Sequence, residues 1–164
     1  MSTKWSDEAK NWLEWTEEKQ LYLNKWHSYN AGVIEGRLIA GNNNAMYGSI
    51  GTEYFPEFHE GDILLIEDSY KDLATVEKNM AMLKLHGLLE KAGGIILSKY
   101  EQFNDLGTGR KPIDVLLEQL DGRTIPLLTD FDTGHTHPMH PLAIGKKVRL
   151  DSKEGKLYCI EAWQ

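Results

Sequence analysis

Residues 62–68 read Asp-Ile-Leu-Leu-Ile-Glu-Asp, four apolar residues in a row followed at once by two carboxylates. An apolar run without polar alternation predicts a strand buried on both faces, as in the centre of a sheet that helices cover. This strand would present Glu67 and Asp68 at its carboxyl end. Because ligands of α/β sheets bind beyond the carboxyl ends of the strands, we expect a functional site at this end of the predicted sheet.

Strand and helix patterns alternate on both sides of this segment. Residues 33–39 have β character and lead into the turn-forming Gly41-Asn-Asn-Asn. Residues 72–92 carry apolar side chains at alternating steps of three and four, which predicts one helix that Gly93-Gly94 stops. The remaining predicted elements are a strand at 95–97, a helix from Pro112, a strand at 124–129 and a hairpin at 146–161. This order predicts an α/β fold whose mixed sheet has a parallel portion, flanking helices and an antiparallel hairpin at one edge.

Composition and charge restrict the class of protein. The chain has 164 residues, of which 41% are hydrophobic and 26% charged, which is typical of a single globular domain. Its net charge of −7 argues against general binding of nucleic acid or of an anionic membrane, since both need a concentrated basic face. The sequence shows neither a signal peptide nor a spanning segment, so we expect a cytoplasmic protein with a small-molecule or peptide partner.

The first 30 residues differ in composition from the rest. They are rich in Trp and in charge and show no clear β pattern, so we interpret residues 1–30 as an arm or linker and residues 31–164 as the domain. The single cysteine, Cys159, cannot form an internal disulfide. It lies in an alternating apolar stretch, where we expect it to be a small buried hydrophobic residue.

Residues 130–141 concentrate three of the six histidines in a loop with two prolines. A carboxylate such as Glu67 could fix the tautomer of His135 and leave its other ring nitrogen free to act as a base. The loop also allows a metal site, because His135, His137 and His140 have ligand-like spacing and aspartates lie close by. A nucleophile is harder to place: the serine of Gly48-Ser-Ile-Gly-Thr comes nearest to a nucleophile elbow, but its context favours a structural role.

Three segments together resemble the C-terminal domain of the LD-carboxypeptidase type of serine peptidase. They are Gly36-Arg-Leu-Ile-Ala-Gly-Asn-Asn-Asn with Gly51-Thr, Ile63-Leu-Leu-Ile-Glu-Asp-Ser, and Phe131-Asp-Thr-Gly-His-Thr-His-Pro-Met. The last of them resembles the microcin C immunity branch of that family most closely. The likeness covers residues 10–163 in the same order and similar spacing, and it implies a barrel-like α/β domain without a cofactor.

The resemblance implies a Ser-Glu-His triad divided between two domains. In the family, an N-terminal domain supplies the serine and the oxyanion hole, and the positions of the Glu and the His match Glu67 and His135. The resemblance also implies that Asn44 and Lys71 line the substrate pocket, where a lysine would favour an acidic group. Trp12 would contribute an aromatic surface for a nucleotide-like ligand.

By this resemblance the parent enzyme cleaves an amide bond near a free carboxylate, in a muropeptide or in a processed microcin C-like aminoacyl-nucleotide. Because the sequence carries no serine domain ahead of the arm, we expect the isolated chain to be inactive. The family also implies a homodimer. Two alternatives stay open: a metal-dependent hydrolase or metal-binding module built on His135, His137 and His140, and a non-catalytic ligand-binding or dimerisation domain.

Overall fold

A curled sheet of seven strands organises the chain in the computed structural model, which describes residues 2–9, 13 and 18–161. The sheet strands are β3 (His27–Asn30), β4 (Val33–Asn42), β5 (Ile63–Glu67), β6 (Gly94–Ser98), β7 (Leu127–Phe131), β8 (Lys147–Asp151) and β9 (Lys156–Cys159). Two short strands, β1 (Lys4–Trp5) and β2 (Tyr22–Leu23), form a separate antiparallel pair. The helices are α1 (Asn43–Tyr47), α2 (Leu73–Leu85), α3 (Leu88–Lys91) and α4 (Pro112–Leu120).

The sheet is mixed, as the sequence predicts. Its strand order is β3-β7-β6-β5-β4-β8-β9, in which β4, β5, β6 and β7 are parallel neighbours. The outer strands β3, β8 and β9 pair antiparallel, and the predicted hairpin of β8 and β9 forms one edge. The prediction of a barrel-like α/β fold is therefore confirmed.

Burial explains why the apolar run of residues 63–66 sets the centre of the sheet. Every residue of β5 is buried, as is every residue of β6 beside it. On one face of the sheet, side chains such as Leu64 and Ile66 pack with helix residues such as Val76. Side chains of the other face form a second cluster that includes Ile63 and Leu65. The alternation of one strand between two cores is the reason that no polar residue interrupts the run.

Three local predictions differ from the structure. The helix expected over residues 72–92 divides into α2 and α3, because Gly87 adopts a left-handed conformation at φ 73°. Strand β7 begins at Leu127 rather than at residue 124, since Pro126 has no N–H to give to a neighbouring strand. Strand β3 joins the main sheet although no β pattern marks it in the sequence.

Cys159 is exposed, which corrects the expectation that it is buried. It is the last residue of β9, the edge strand of the sheet, and its neighbours Tyr158 and Ile160 are exposed as well. No helix in the described part of the chain has both the length and the apolar character that a membrane crossing requires.

Gly36 lies in β4 where the strand passes close to the turn before β5. A Cβ atom at this position would lie 2.3 Å from the carbonyl oxygen of Gly61. We therefore expect Gly36→Ala to force the two segments apart and to lower the free energy of unfolding by about 1–3 kcal/mol. Urea unfolding followed by circular dichroism measures the change.

Gly48→Ala is the matched control for this substitution. A Cβ atom at Gly48 would meet its nearest atom at 3.7 Å, an ordinary contact, so the variant should unfold within about 0.5 kcal/mol of the unsubstituted chain. Equal stability of the two variants would show that the close approach at Gly36 does not constrain the sheet.

Candidate active site

Glu67 and His135 form a carboxylate–imidazole pair at the carboxyl edge of the sheet. Glu67 ends β5, and His135 lies in the loop that follows β7. The distance from His135 Nδ1 to Glu67 Oε2 is 2.8 Å. The Glu67 side chain is only 7% exposed, whereas the His135 ring is 49% exposed. The pair is thus anchored in the protein at the carboxylate and open to solvent at the ring.

Gly134 allows this close approach. Its φ angle is +88°, and a Cβ atom there would lie 2.4 Å from Glu67 Oε2. The backbone therefore passes directly over the carboxylate, in a conformation that L side chains rarely adopt. Any other residue at this position would collide with the group that holds the imidazole.

The loop that carries His135 is fixed by contacts at both ends. Asp132 has no exposed surface; its Oδ1 lies 2.6 Å from Lys99 Nζ, and its Oδ2 accepts a hydrogen bond of 2.7 Å from Asn24 Nδ2. Burial lowers the pKa of Lys99, and the pairing with Asp132 opposes that shift. Ser6 and His137 exchange two backbone hydrogen bonds of 2.8 Å each. These contacts tie the histidine loop to β6 and to the N-terminal arm.

Another carboxylate, that of Glu101, lies near the pair, and no pattern in the sequence predicts it. It follows β6 and is 7% exposed. Burial raises the pKa of Glu101; the Lys19 ammonium opposes the shift, and the negative charges of Asp7 and Glu67 add to it. The only signal in the sequence is its place after the third predicted strand, which by itself does not distinguish it from a surface residue.

Asn44 and Lys71, the predicted substrate-pocket residues, both contact the buried carboxylate of Asp68. The backbone N–H of Asn44, in α1, donates to Asp68 Oδ2 at 3.0 Å. Lys71 Nζ lies 4.0 Å from Asp68 Oδ1 and donates to the carbonyl oxygen of Ser69 at 3.1 Å. Asp68 is adjacent in sequence to Glu67, so the structure brings these two residues to the same edge as the carboxylate–imidazole pair. Trp12 lies outside the described residues.

The other two histidines of the loop do not join His135 in a cluster. The ring of His140 packs edge-on against Trp26, with centroids 5.9 Å apart. Among the described residues, no group of three His, Cys, Asp or Glu side chains converges to hold a metal ion. The metal-binding alternative therefore gains no support from the geometry.

The arrangement at His135 suits proton transfer. A carboxylate only accepts hydrogen bonds, so the proton of the neutral ring must reside on Nδ1, and Nε2 is then free as a base.

Ser49, the serine that comes nearest to a nucleophile elbow in the sequence, is not part of this arrangement. Its hydroxyl donates a hydrogen bond to the carbonyl oxygen of Met46 at 3.1 Å. A cavity of about 520 Å³ lies between β3, β6, β7 and the start of α4, and neither Glu67 nor His135 lines it.

Known proteins similar to this chain extend well beyond it. The microcin C7 self-immunity protein of Escherichia coli is 48% identical over 150 residues, which are 90% of this chain and 44% of that protein. A Vibrio cholerae protein that is named provisionally as a carboxypeptidase is 42% identical over 96% of this chain and 48% of its own length. The chain therefore spans about half the length of these relatives.

Solved structures agree with the sequence relatives. The wild-type microcin C7 self-immunity protein without ligand superimposes with a TM-score of 0.94 at 45% identity, over 99% of this chain and 49% of that one. The family described as the LD-carboxypeptidase C-terminal domain matches residues 35–150, which begin within β4, end within β8 and include both members of the carboxylate–imidazole pair. This chain belongs to the LD-carboxypeptidase C-terminal domain family.

Proposed function

We propose that this chain is the C-terminal half of a serine carboxypeptidase, in which Glu67 and His135 activate a serine that another domain supplies. The observation that carries the proposal is the 2.8 Å contact from His135 Nδ1 to Glu67 Oε2, in which Nε2 of the half-exposed ring takes no part. A carboxylate, an oriented imidazole and an external nucleophile make up the serine-hydrolase arrangement. Without the serine, nucleophile and base cannot act as a unit, so the isolated chain has no triad-dependent activity.

The geometry accounts for the proton transfers of amide hydrolysis. Nε2 of His135 accepts the serine proton as the serine oxygen attacks the amide carbonyl, and the buried Glu67 carboxylate stabilises the imidazolium that forms. The imidazolium then gives its proton to the leaving nitrogen, and an acyl-enzyme remains. A water molecule, deprotonated by the same nitrogen, releases the acid and restores the serine.

The proposed substrate is an aminoacyl-nucleotide with an acidic side chain. Structures of the microcin C7 self-immunity protein contain aspartyl sulfamoyl adenosine and glutamyl sulfamoyl guanosine. An active-site mutant of that protein replaces a serine, an asparagine and a lysine by alanine, and its asparagine and lysine are separated by the same number of residues as Asn44 and Lys71. The Lys71 ammonium would then pair with the side-chain carboxylate, and Trp12 would stack on the nucleobase.

A muropeptide is the second candidate substrate. A relative in Bacillus subtilis, 29% identical over 138 residues, is named as a carboxypeptidase of murein peptides. Both substrates present an amide next to a free carboxylate, so the same pair of residues serves either.

We further propose that the protein is a cytoplasmic homodimer, by analogy with the family. The non-catalytic alternative gains no support from the comparisons.

The triad is tested by supplying a serine-bearing half to the chain. The chain, mixed with the separately expressed N-terminal half of the E. coli relative, should release aspartate from aspartyl sulfamoyl adenosine, whereas the chain alone should not. Glu67→Gln and His135→Ala should each lower kcat of the restored enzyme by about 10³-fold or more. An L,D-linked muropeptide assayed in parallel distinguishes the two substrates.

His59→Ala is the matched control, because the His59 ring is 55% exposed and contacts only Glu57 among the described ion pairs. It should retain full activity. Undiminished turnover by Glu67→Gln, or equal turnover by the chain without the added half, would contradict the proposed role of the pair.

Gly134→Ala tests the close approach at the carboxylate without a catalytic assay. The added methyl group should displace the Glu67 carboxylate, so the ring ¹⁵N shifts of His135 should change from those of a hydrogen-bonded Nδ1–H tautomer. The matched control is Gly145→Ala, which has φ +81° and nothing within 4 Å of the added atom. Both variants carry a backbone strain of about 1–3 kcal/mol, so a change confined to Gly134→Ala isolates the collision. Unchanged His135 shifts in Gly134→Ala would show that the carboxylate does not depend on this glycine.

A further inference from the structure

Asp68 is a carboxylate without exposed surface that touches both proposed substrate-pocket residues. Its Oδ2 accepts the Asn44 N–H, and its Oδ1 accepts hydrogen bonds from Asn42 Nδ2 at 3.0 Å and from the Ser69 N–H at 3.2 Å. The Lys71 ammonium lies 4.0 Å from Oδ1. Burial raises the pKa of Asp68, while these four partners oppose the shift. A buried carboxylate with this many donors fixes the position of each of them.

Asn79 is a second buried polar residue at the same place. It is fully buried in α2, on the face that otherwise carries Val76, Met80 and Leu83. Its Nδ2 donates to Asn44 Oδ1 at 3.2 Å. A buried amide on an apolar helix face is costly, and here its Oδ1 has no hydrogen-bond partner among the described residues, so its presence needs a reason beyond packing. The contact with Asn44 supplies that reason.

The bond from Asn79 settles which side of the Asn44 amide is available to a ligand. With Oδ1 engaged, the Nδ2 donor of Asn44 has no hydrogen-bond partner among the described residues. The Lys71 ammonium has three hydrogens, and its partners within the chain are the Ser69 carbonyl oxygen and the more distant Asp68. Its side chain is 25% exposed, so a donor remains for a ligand.

We propose that Asp68 and Asn79 are positioning residues, which hold Asn44 and Lys71 as two donors matched to the two oxygens of a substrate carboxylate. This inference rests on the proposed function and deepens it, because it explains selection for an acid over its amide. A carboxylate accepts from both donors, whereas a primary amide places its own NH₂ group against one of them. Neither positioning residue touches the reacting atoms.

The measurement is a pair of dissociation constants on this chain, for aspartyl and for asparaginyl sulfamoyl adenosine, by calorimetry. The two ligands differ only in the side-chain group, so their ratio cancels any change in the folded fraction. We expect the unsubstituted chain to favour the aspartyl ligand by about tenfold or more. Asn79→Leu, which frees the Asn44 amide to rotate, should lower this ratio severalfold, while Lys71 maintains the remaining preference.

Asp68→Asn provides a second, nearly isosteric variant. Either orientation of the new amide places an NH₂ donor against a donor of Asn42, Asn44 or Ser69, so this variant should also lower the ratio. If Asn79→Leu does not fold, Asp68→Asn by itself tests the proposal. The matched control is Leu83→Ala, a fully buried site in the same helix, which should lower stability but leave the ratio unchanged.

Three results would overturn the inference: no preference in the unsubstituted chain, an undiminished preference in both variants, or an equal loss of preference in Leu83→Ala. None of these depends on turnover. The restored two-part enzyme tests the Glu67 and His135 pair separately, so the positioning proposal can fail while the proposed function stands, and the reverse.

Discussion

The parallel pairing of β4, β5, β6 and β7 is the constraint on which the rest of the structure depends. Parallel strands end at one edge, so the residues that follow them meet there whatever their separation in sequence. Asn44 follows β4, Glu67 and Asp68 come at the end of β5, Glu101 follows β6 and His135 follows β7. The direction of the strands therefore determines where the site lies, and the side chains at the strand ends determine its chemistry.

This edge concentrates charge where water is largely excluded. A buried charge lowers stability unless hydrogen bonds or an opposite charge compensate it. At this edge of the sheet several buried charged side chains have such partners. Lys99 forms an ion pair with Asp132, Asp68 accepts hydrogen bonds from several donors, and Glu67 contacts the ring of His135. The contacts differ: Lys99 and Asp132 hold the loop that carries His135, Asp68 contacts Asn44 and Lys71, and Glu67 contacts only Nδ1 of the His135 ring.

The parallel centre of the sheet could be predicted because an unbroken apolar run such as residues 63–66 has few alternatives. The contact between Glu67 and His135 is suggested by their positions, because each follows a predicted strand of the same sheet, whereas their assignment to a triad depends on the resemblance. Strand β3 was missed because its exposed residues lack an alternating pattern, and its pairing with β7 is a tertiary effect. Glu101 and Asn79 read as ordinary polar residues, because their burial depends on neighbours that are distant in sequence.

The two edge strands of the sheet have a consequence for how this module is delimited. The family match covers residues 35–150, whereas β3 lies before it and β9 after it. A chain trimmed to the matched region would leave the N–H and C=O groups of β7 and β8 unpaired along both sides of the sheet. Open edges of this kind pair with strands of other molecules, so β3 and β9, which lie outside the matched region, protect the sheet from self-association.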